Sequence, residues 1–179
     1  MPDKPRYKIP TEDRLTRSAV HYLERYASSA ANLRKVLERK VLKACMAHER
    51  DPGEFSALID AVVEKCCQSG LVNDLAYAET KTAGLRRRGG SRRKIEAKLS
   101  AKGVDRDIIR TVLNNDGQDD LSAAFIFARR RRLGPFRTDD KDRRDKDMAA
   151  LCRAGFSYDV ARRVIEATKE DLRAHEART

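Results

Sequence analysis

Tryptophan is absent from this chain of 179 residues, and aromatics amount to only 6% of it. That scarcity argues against one thick core and for thin seams between helices. No apolar run approaches the roughly 20 residues that would cross a bilayer. Met1 to Thr11 is polar and carries no signal-peptide stretch, so the chain is expected in the cytosol, with no membrane partner. The four cysteines, Cys45, Cys66, Cys67 and Cys152, form no C-x-x-C pair, and no H-x-x-x-H pair accompanies them, which excludes the usual zinc spacings. Three of them fall on apolar helix stripes and read as reduced, buried thiols. His21, His48 and His175 lie far apart and read as surface residues. No G-x-x-x-x-G-K-[ST], H-E-x-x-H or G-x-S-x-G motif is present, so neither an enzyme nor a cofactor is expected.

What is present is charge. Charged residues make up 37% of the chain and the net charge is +11. A basic excess of that size favours an anionic partner, either nucleic acid or an acidic protein surface.

A short unit also recurs. Residues 99–113 and 151–165 align at an offset of 52, with identical Leu, Gly, Asp, Arg and Val: 99/151, 103/155, 107/159, 110/162 and 112/164. Gly103 and Gly155 fall where a helix ends, a position that takes a left-handed residue at no steric cost only when it is glycine. Asp105 and Ser157 then cap the following helix. Val104 and Phe156 precede the caps and can staple onto that helix.

The helical period runs through the rest of the chain. Leu15, Ala19, Tyr22, Leu23 and Tyr26 mark a first stripe. Leu33, Val36, Leu37, Val41 and Ala44 mark a second, opened by Ser28-Ser29. Asp51-Pro52 opens a third, with Phe55, Leu58, Ile59, Val62, Val63 and Cys66. A fourth helix should run from Asp74, read as its cap, to Arg88, followed by Ser91–Lys102 and Asp105–Asn114. The last triplet begins at Leu121 and pauses at Gly134-Pro135. It continues from Thr138 to Ala154 through a charged, solvated half, then ends in a ninth helix that frays into a charged tail. The expected fold is all-α: three tandem three-helix repeats in an elongated curved rod. The boundaries read as a disordered lead-in at 1–10, repeats at 11–72, 73–116 and 117–170, and a tail at 171–179. Stacked helical units more often bind than catalyse.

In this setting the chain resembles the RecX family of recombinase regulators. The segment Gly70-Leu71-Val72-Asn73-Asp74-Leu75-Ala76-Tyr77-Ala78 is similar to that family's Gly-Leu-apolar-Asp-Asp stretch with its aromatic-Ala pair. The Arg86-Arg87-Arg88 helix end, the Ile95, Leu99, Lys102-Gly103-Val104 stretch, and Leu151 with Gly155-Phe156 follow in the family's order. Asn73 departs from the usual Asp, Asn32 from the usual Glu, and the 45–54 link is long. The resemblance implies a small three-repeat helical protein that lodges in the groove of a RecA-type recombinase filament. It further implies that the protein inhibits the filament's ATPase and strand exchange, and that it can contact single- or double-stranded DNA. A monomer is the expected state.

Candidate contact residues follow from charge density. Arg86, Arg87, Arg88, Arg92, Arg93, Lys94, Lys98 and Lys102 stand against a single acid, Glu96. Lys94, Lys98 and Lys102 are each one helical turn apart, so a basic ridge can form opposite Ile95 and Leu99. Arg129, Arg130, Arg131 and Arg132 form a second run. Both runs close the first helix of their triplet, where cations also meet the negative end of the helix dipole. The alternative function is a non-specific nucleic-acid-binding module using the same cations.

Overall fold

The computed structural model describes residues 7–138 and 143–176 of the chain. Residues 1–6 of the expected lead-in, 139–142 in the charged half of the expected eighth helix, the side chain of His175, and 177–179 of the expected tail lie outside the described residues. The described residues form ten α-helices and two short 3-10 turns, and no strand. They gather into two compact units. The first combines the chain up to Tyr77 with Ala101–Ile108, and the second combines Ala78–Ser100 with the chain from Ile109 onward.

In the first unit, α1 (Glu12–Leu23), α2 (Ala30–His48) and α3 (Ser56–Gln68) pack around one core. Leu15, Ala19, Leu33, Leu37, Val41, Cys45, Phe55, Ile59, Val62, Cys66 and Val72 fill it. These are mostly the stripe residues, because an apolar residue every three or four positions keeps one face toward the core. Tyr26, placed on the first stripe by its spacing, is instead 59% exposed, because α1 has already stopped at Leu23. The Asp51-Pro52 start holds, but it opens a 3-10 turn, Pro52–Phe55, before α3 begins; the Asp51 carboxylate accepts from Gly53 N at 2.9 Å. Arg50 lies over the Phe55 ring at 5.0 Å.

The cap of α4 (Asp74–Arg86) differs from expectation. Asn73 Oδ1 accepts from Ala76 N at 3.0 Å and serves as the cap. Asp74 turns away and accepts from Ala30 N at 2.8 Å, satisfying a free donor at the start of α2. At that same start, Ser29 accepts from Asn32 N at 3.2 Å and donates to the Lys102 carbonyl at 2.5 Å. An Asn at 73 caps as well as an Asp would, so the departure from the family's usual residue costs the helix nothing.

α5 (Arg92–Ala101) and α6 (Arg106–Asn114) follow, separated by a turn in which Gly103 has φ 71° and the Asp105 carboxylate accepts from Asp107 N. In the second unit, α7 (Asp120–Arg131), α8 (Arg144–Arg153) and α9 (Tyr158–Ile165) enclose Ala123, Ala124, Phe125, Ala128, Leu151, Phe156, Ala161 and Val164. Small alanines on α7 let its neighbours approach closely. Gly155 has φ 96° and Ser157 accepts from Val160 N at 3.3 Å, so the repeated turn-and-cap unit is present in both copies.

Two sequence expectations fail here. The charge pattern places Asp147 on a solvated face, yet it is 4% exposed. It accepts from Gly134 N at 2.8 Å and from Arg137 Nη2 at 2.5 Å, which anchors the turn after α7. The tail also does not simply fray: α10 spans Lys169–Glu176. A reciprocal cap starts it. Asp171 Oδ2 accepts from Thr168 N and Oγ1, both at 2.8 Å, while Asp171 N donates back to Thr168 Oγ1 at 3.2 Å.

Candidate functional site

Of the twelve predicted contact cations, Arg86 is not on the surface. It is 4% exposed in the second unit. Its Nε donates to Asp116 Oδ2 at 2.5 Å, and its Nη1 donates to Asp120 Oδ1 at 2.6 Å and to the Gly90 carbonyl at 3.0 Å. Burial works against its charge, but the carboxylates of Asp120 and Asp116 outweigh it and hold the guanidinium proton more tightly than usual. Charge density selected Arg86, and the two acids thirty or more residues downstream decide otherwise. Arg86 is a buried tie, not a contact residue.

Arg92 is exposed but occupied. Its Nη1 donates to the Leu113 carbonyl at 2.7 Å and its Nη2 to Asn114 Oδ1 at 2.7 Å, so it closes the C-terminus of α6. Arg130 Nη1 donates to the Arg88 carbonyl at 3.1 Å at the end of α4. Arg129 lies over Phe136 at 5.2 Å. Lys102, in the first unit, donates to Asn32 Oδ1 at 3.0 Å. Arg87, Arg88, Arg93, Lys94, Lys98 and Arg132 are exposed, with no carboxylate partner among the described residues.

The second unit brings members of the two predicted runs together. Lys94 of α5 and Arg131 of α7 line one cleft of about 450 Å³, and Arg153 at the end of α8 completes a set of three cations. Phe127 forms the aromatic wall, Leu133, Ala150 and Ala154 line the rest, and no carboxylate lines it among the described residues. Arg131 lies over the Phe127 ring at 5.9 Å, and Phe127 meets Phe156 edge-on at a centroid distance of 5.9 Å.

One long-range bond and two close glycine contacts set these positions. Ser91 is fully buried; its Oγ donates to the Ala154 carbonyl at 2.8 Å and accepts from Lys94 N at 3.2 Å. One hydroxyl thus fixes the start of α5 against the end of α8, and so fixes Lys94 relative to Arg153. A Cβ on Gly155 would stand 2.5 Å from that Oγ, so the glycine is needed for contact as well as for its φ. At Gly89 a Cβ would stand 2.6 Å from Phe127 N and 2.8 Å from the Ala123 carbonyl. The turn between α4 and α5 therefore lies directly on the backbone of α7.

Sequence reasoning missed Phe127 and Arg153. Phe127 carried a signal, since it lies four residues before Arg131 and shares its helix face. Arg153 carried none, because its meeting with Lys94 depends on the long-range Ser91–Ala154 bond. Three cations around an aromatic wall suit an anion. The two guanidiniums can each bond two oxygens of a carboxylate or phosphate, and the ammonium supplies a compact charge. Among the described residues, no group of three or more His, Cys, Asp or Glu is placed to hold a metal ion, and no helix is long and apolar enough to cross a membrane.

Among the described residues, an all-helical arrangement with repeated Gly-turn units and a cationic cleft defines a basic helical-repeat protein. Comparison with known proteins makes this specific. The family model for RecX, second three-helix domain, matches residues 73–113. The regulatory protein RecX of Myxococcus xanthus (strain DK1622) is 42% identical over 171 residues, covering 92% of this chain and 90% of that protein. The regulatory protein RecX of Agrobacterium fabrum is 32% identical over 156 residues, covering 86% and 83%. The crystal structure of RecX from Lactobacillus salivarius shares the fold, with a TM-score of 0.60 and 22% identity over 87% of this chain and 94% of that one. The chain belongs to the RecX family of regulatory proteins.

Proposed function

We propose that this protein acts in the cytosol as a monomer, binding a RecA-type recombinase filament and inhibiting its ATPase and strand exchange. The observation that carries the reading is the convergence of Lys94, Arg131 and Arg153 on one cleft without a counter-carboxylate among the described residues, in a chain of this family. The cleft takes an acidic side chain of the filament, and Arg87, Arg88, Arg93, Lys98 and Arg132 extend the contact. Arg129 and Arg130 of the same unit belong to this contact, and Lys102 makes a contact of its own from the first unit. Arg86 and Arg92 serve the fold instead. The chain works as three repeats, 11–72, 73–116 and 117–170, whose separate weak contacts multiply because they are linked.

DNA-dependent ATP hydrolysis by RecA, titrated with this protein, tests the reading. Inhibition at or below equimolar protein is expected, and the K94S/R131S/R153S variant should need about tenfold more protein. Unchanged hydrolysis at equimolar wild-type protein refutes it. The second reading, a nucleic-acid-binding module using the same cations, predicts a log–log salt slope of about −0.9 for each duplex phosphate contacted.

A further inference from the structure

The first unit carries another cationic cleft, which the sequence pattern did not single out and the filament reading does not use. It has a volume of about 440 Å³ and lies between the N-terminal segment, α1 and α2. Lys8, Arg14, Arg17 and Lys40 line it together with Tyr7, Pro10 and Ser18, over a floor of Leu15, Val41 and Ala44. No carboxylate lines it among the described residues. Glu12, Glu54 and Asp60 of the same unit are taken up elsewhere, by Lys65, Arg50 and Arg34.

Three of the four cations are held in place by neutral partners. Arg14 Nη1 donates to the Ile9 carbonyl at 2.8 Å, which binds the N-terminal segment to α1. Arg17 Nε donates to the Asp13 carbonyl at 3.3 Å. Lys40 donates to Ser18 Oγ, and that hydroxyl donates to the Arg14 carbonyl at 2.6 Å. Each side chain is thus oriented by one bond that leaves its charge uncompensated, with most of its donors still to be used. The floor offers little apolar surface, since Leu15, Val41 and Ala44 are at most 4% exposed. Tyr7, which is 37% exposed, is the aromatic residue of the lining. Four uncompensated cations beside one open aromatic face, in a cleft of small-ligand size, match a phosphate carrying a base.

We infer that this cleft binds a nucleotide unit. Its phosphate is held by Arg14, Arg17, Lys8 and Lys40, and its base lies against Tyr7. The phosphate comes either from a single nucleic-acid strand or from a free nucleotide. The inference does not rest on the filament reading, and its test contains no recombinase, so the two fail separately.

The test uses the full chain in the K94S/R131S/R153S background, which silences the other cleft. Amide NMR spectra are titrated with dTMP, with an eight-nucleotide oligo-dT, with inorganic pyrophosphate and with a glutamate octapeptide. Saturable shifts at Ser18, Val41 and Ala44 are expected with dTMP or oligo-dT. R17S/K40S should weaken them about tenfold or more and, for the oligonucleotide, flatten the log–log salt slope by about 1.4. Y7A should weaken dTMP while leaving pyrophosphate unchanged. Tighter binding of the oligonucleotide assigns a strand, whereas equal affinity assigns a free nucleotide. Shifts located elsewhere overturn the inference, as does equal binding by the glutamate peptide, by pyrophosphate relative to dTMP, or by a folded R17S/K40S variant.

Discussion

Replacing Arg86 with Ala separates a folding role from a contact role. The side chain is 5% exposed, and its partners Asp116 and Asp120 are 12% and 29% exposed. Removing one partner of a fully buried pair costs about 3–5 kcal/mol, because the remaining charge is stranded. Here the loss is smaller. Both carboxylates reach some solvent, and Asp120 Oδ1 also accepts from Arg92 N at 2.8 Å. Against that, the Gly90 carbonyl loses its Arg86 donor and the aliphatic stem leaves a gap. About 2–3 kcal/mol of destabilisation is expected. For a chain of this length that lowers the melting temperature by about 5–10 °C. Urea unfolding followed by circular dichroism should show a lower midpoint at an unchanged slope. Arg86→Met should recover part of the loss by restoring the stem, and R86A/D116N/D120N should recover more by removing the stranded charge. A folded R86A within about 0.5 kcal/mol of wild type that nevertheless fails to inhibit RecA would refute the burial argument and return Arg86 to the contact surface.

Three other changes probe separate parts of the fold. Gly155→Ala places a β-carbon at φ 96° and 2.5 Å from Ser91 Oγ; a loss of about 2 kcal/mol or more in thermal unfolding is expected, and a neutral result would contradict the Ser91–Ala154 tie. Asn73→Ala should cost about 1 kcal/mol as a lost cap while Asn73→Asp stays near wild type, and denaturant midpoints will separate the two. The backbone N–H of Thr168, followed by its hydroxyl, lowers the Asp171 pKa below the usual aspartate range. That contribution to α10 is therefore complete above the unfolded pKa and disappears as pH falls through the depressed folded value. Amide exchange in α10 should accelerate on that acid side; Thr168→Val, which keeps the backbone N–H and loses only the hydroxyl, should weaken the pH dependence, and Asp171→Asn should abolish it.

Much of the helical layout was legible because it is local. The stripes of α2 and α3, the left-handed Gly103 and Gly155, and the caps Asp105 and Ser157 each follow from residues within a turn or two of one another. Asp74 shows the limit of that reasoning. It and Asn73 both suit a cap, and only the unpaired Ala30 N, 44 residues away, decides between them. The Thr168–Asp171 box was local and legible, but the high charge of the tail concealed it.

The sites divide in the same way. Composition and periodicity alone determined that the chain is all-helical, strongly basic, free of catalytic motifs and built on a repeated Gly-turn unit, because each of these depends on residue type and short-range spacing. Only tertiary structure decided which cations face solvent. Charge is a property of the residue, whereas burial, pairing and convergence depend on which distant residues arrive beside it. For that reason Arg86 lies between two aspartates, Arg92 closes α6, and Lys94 shares a cleft with Arg131 and Arg153.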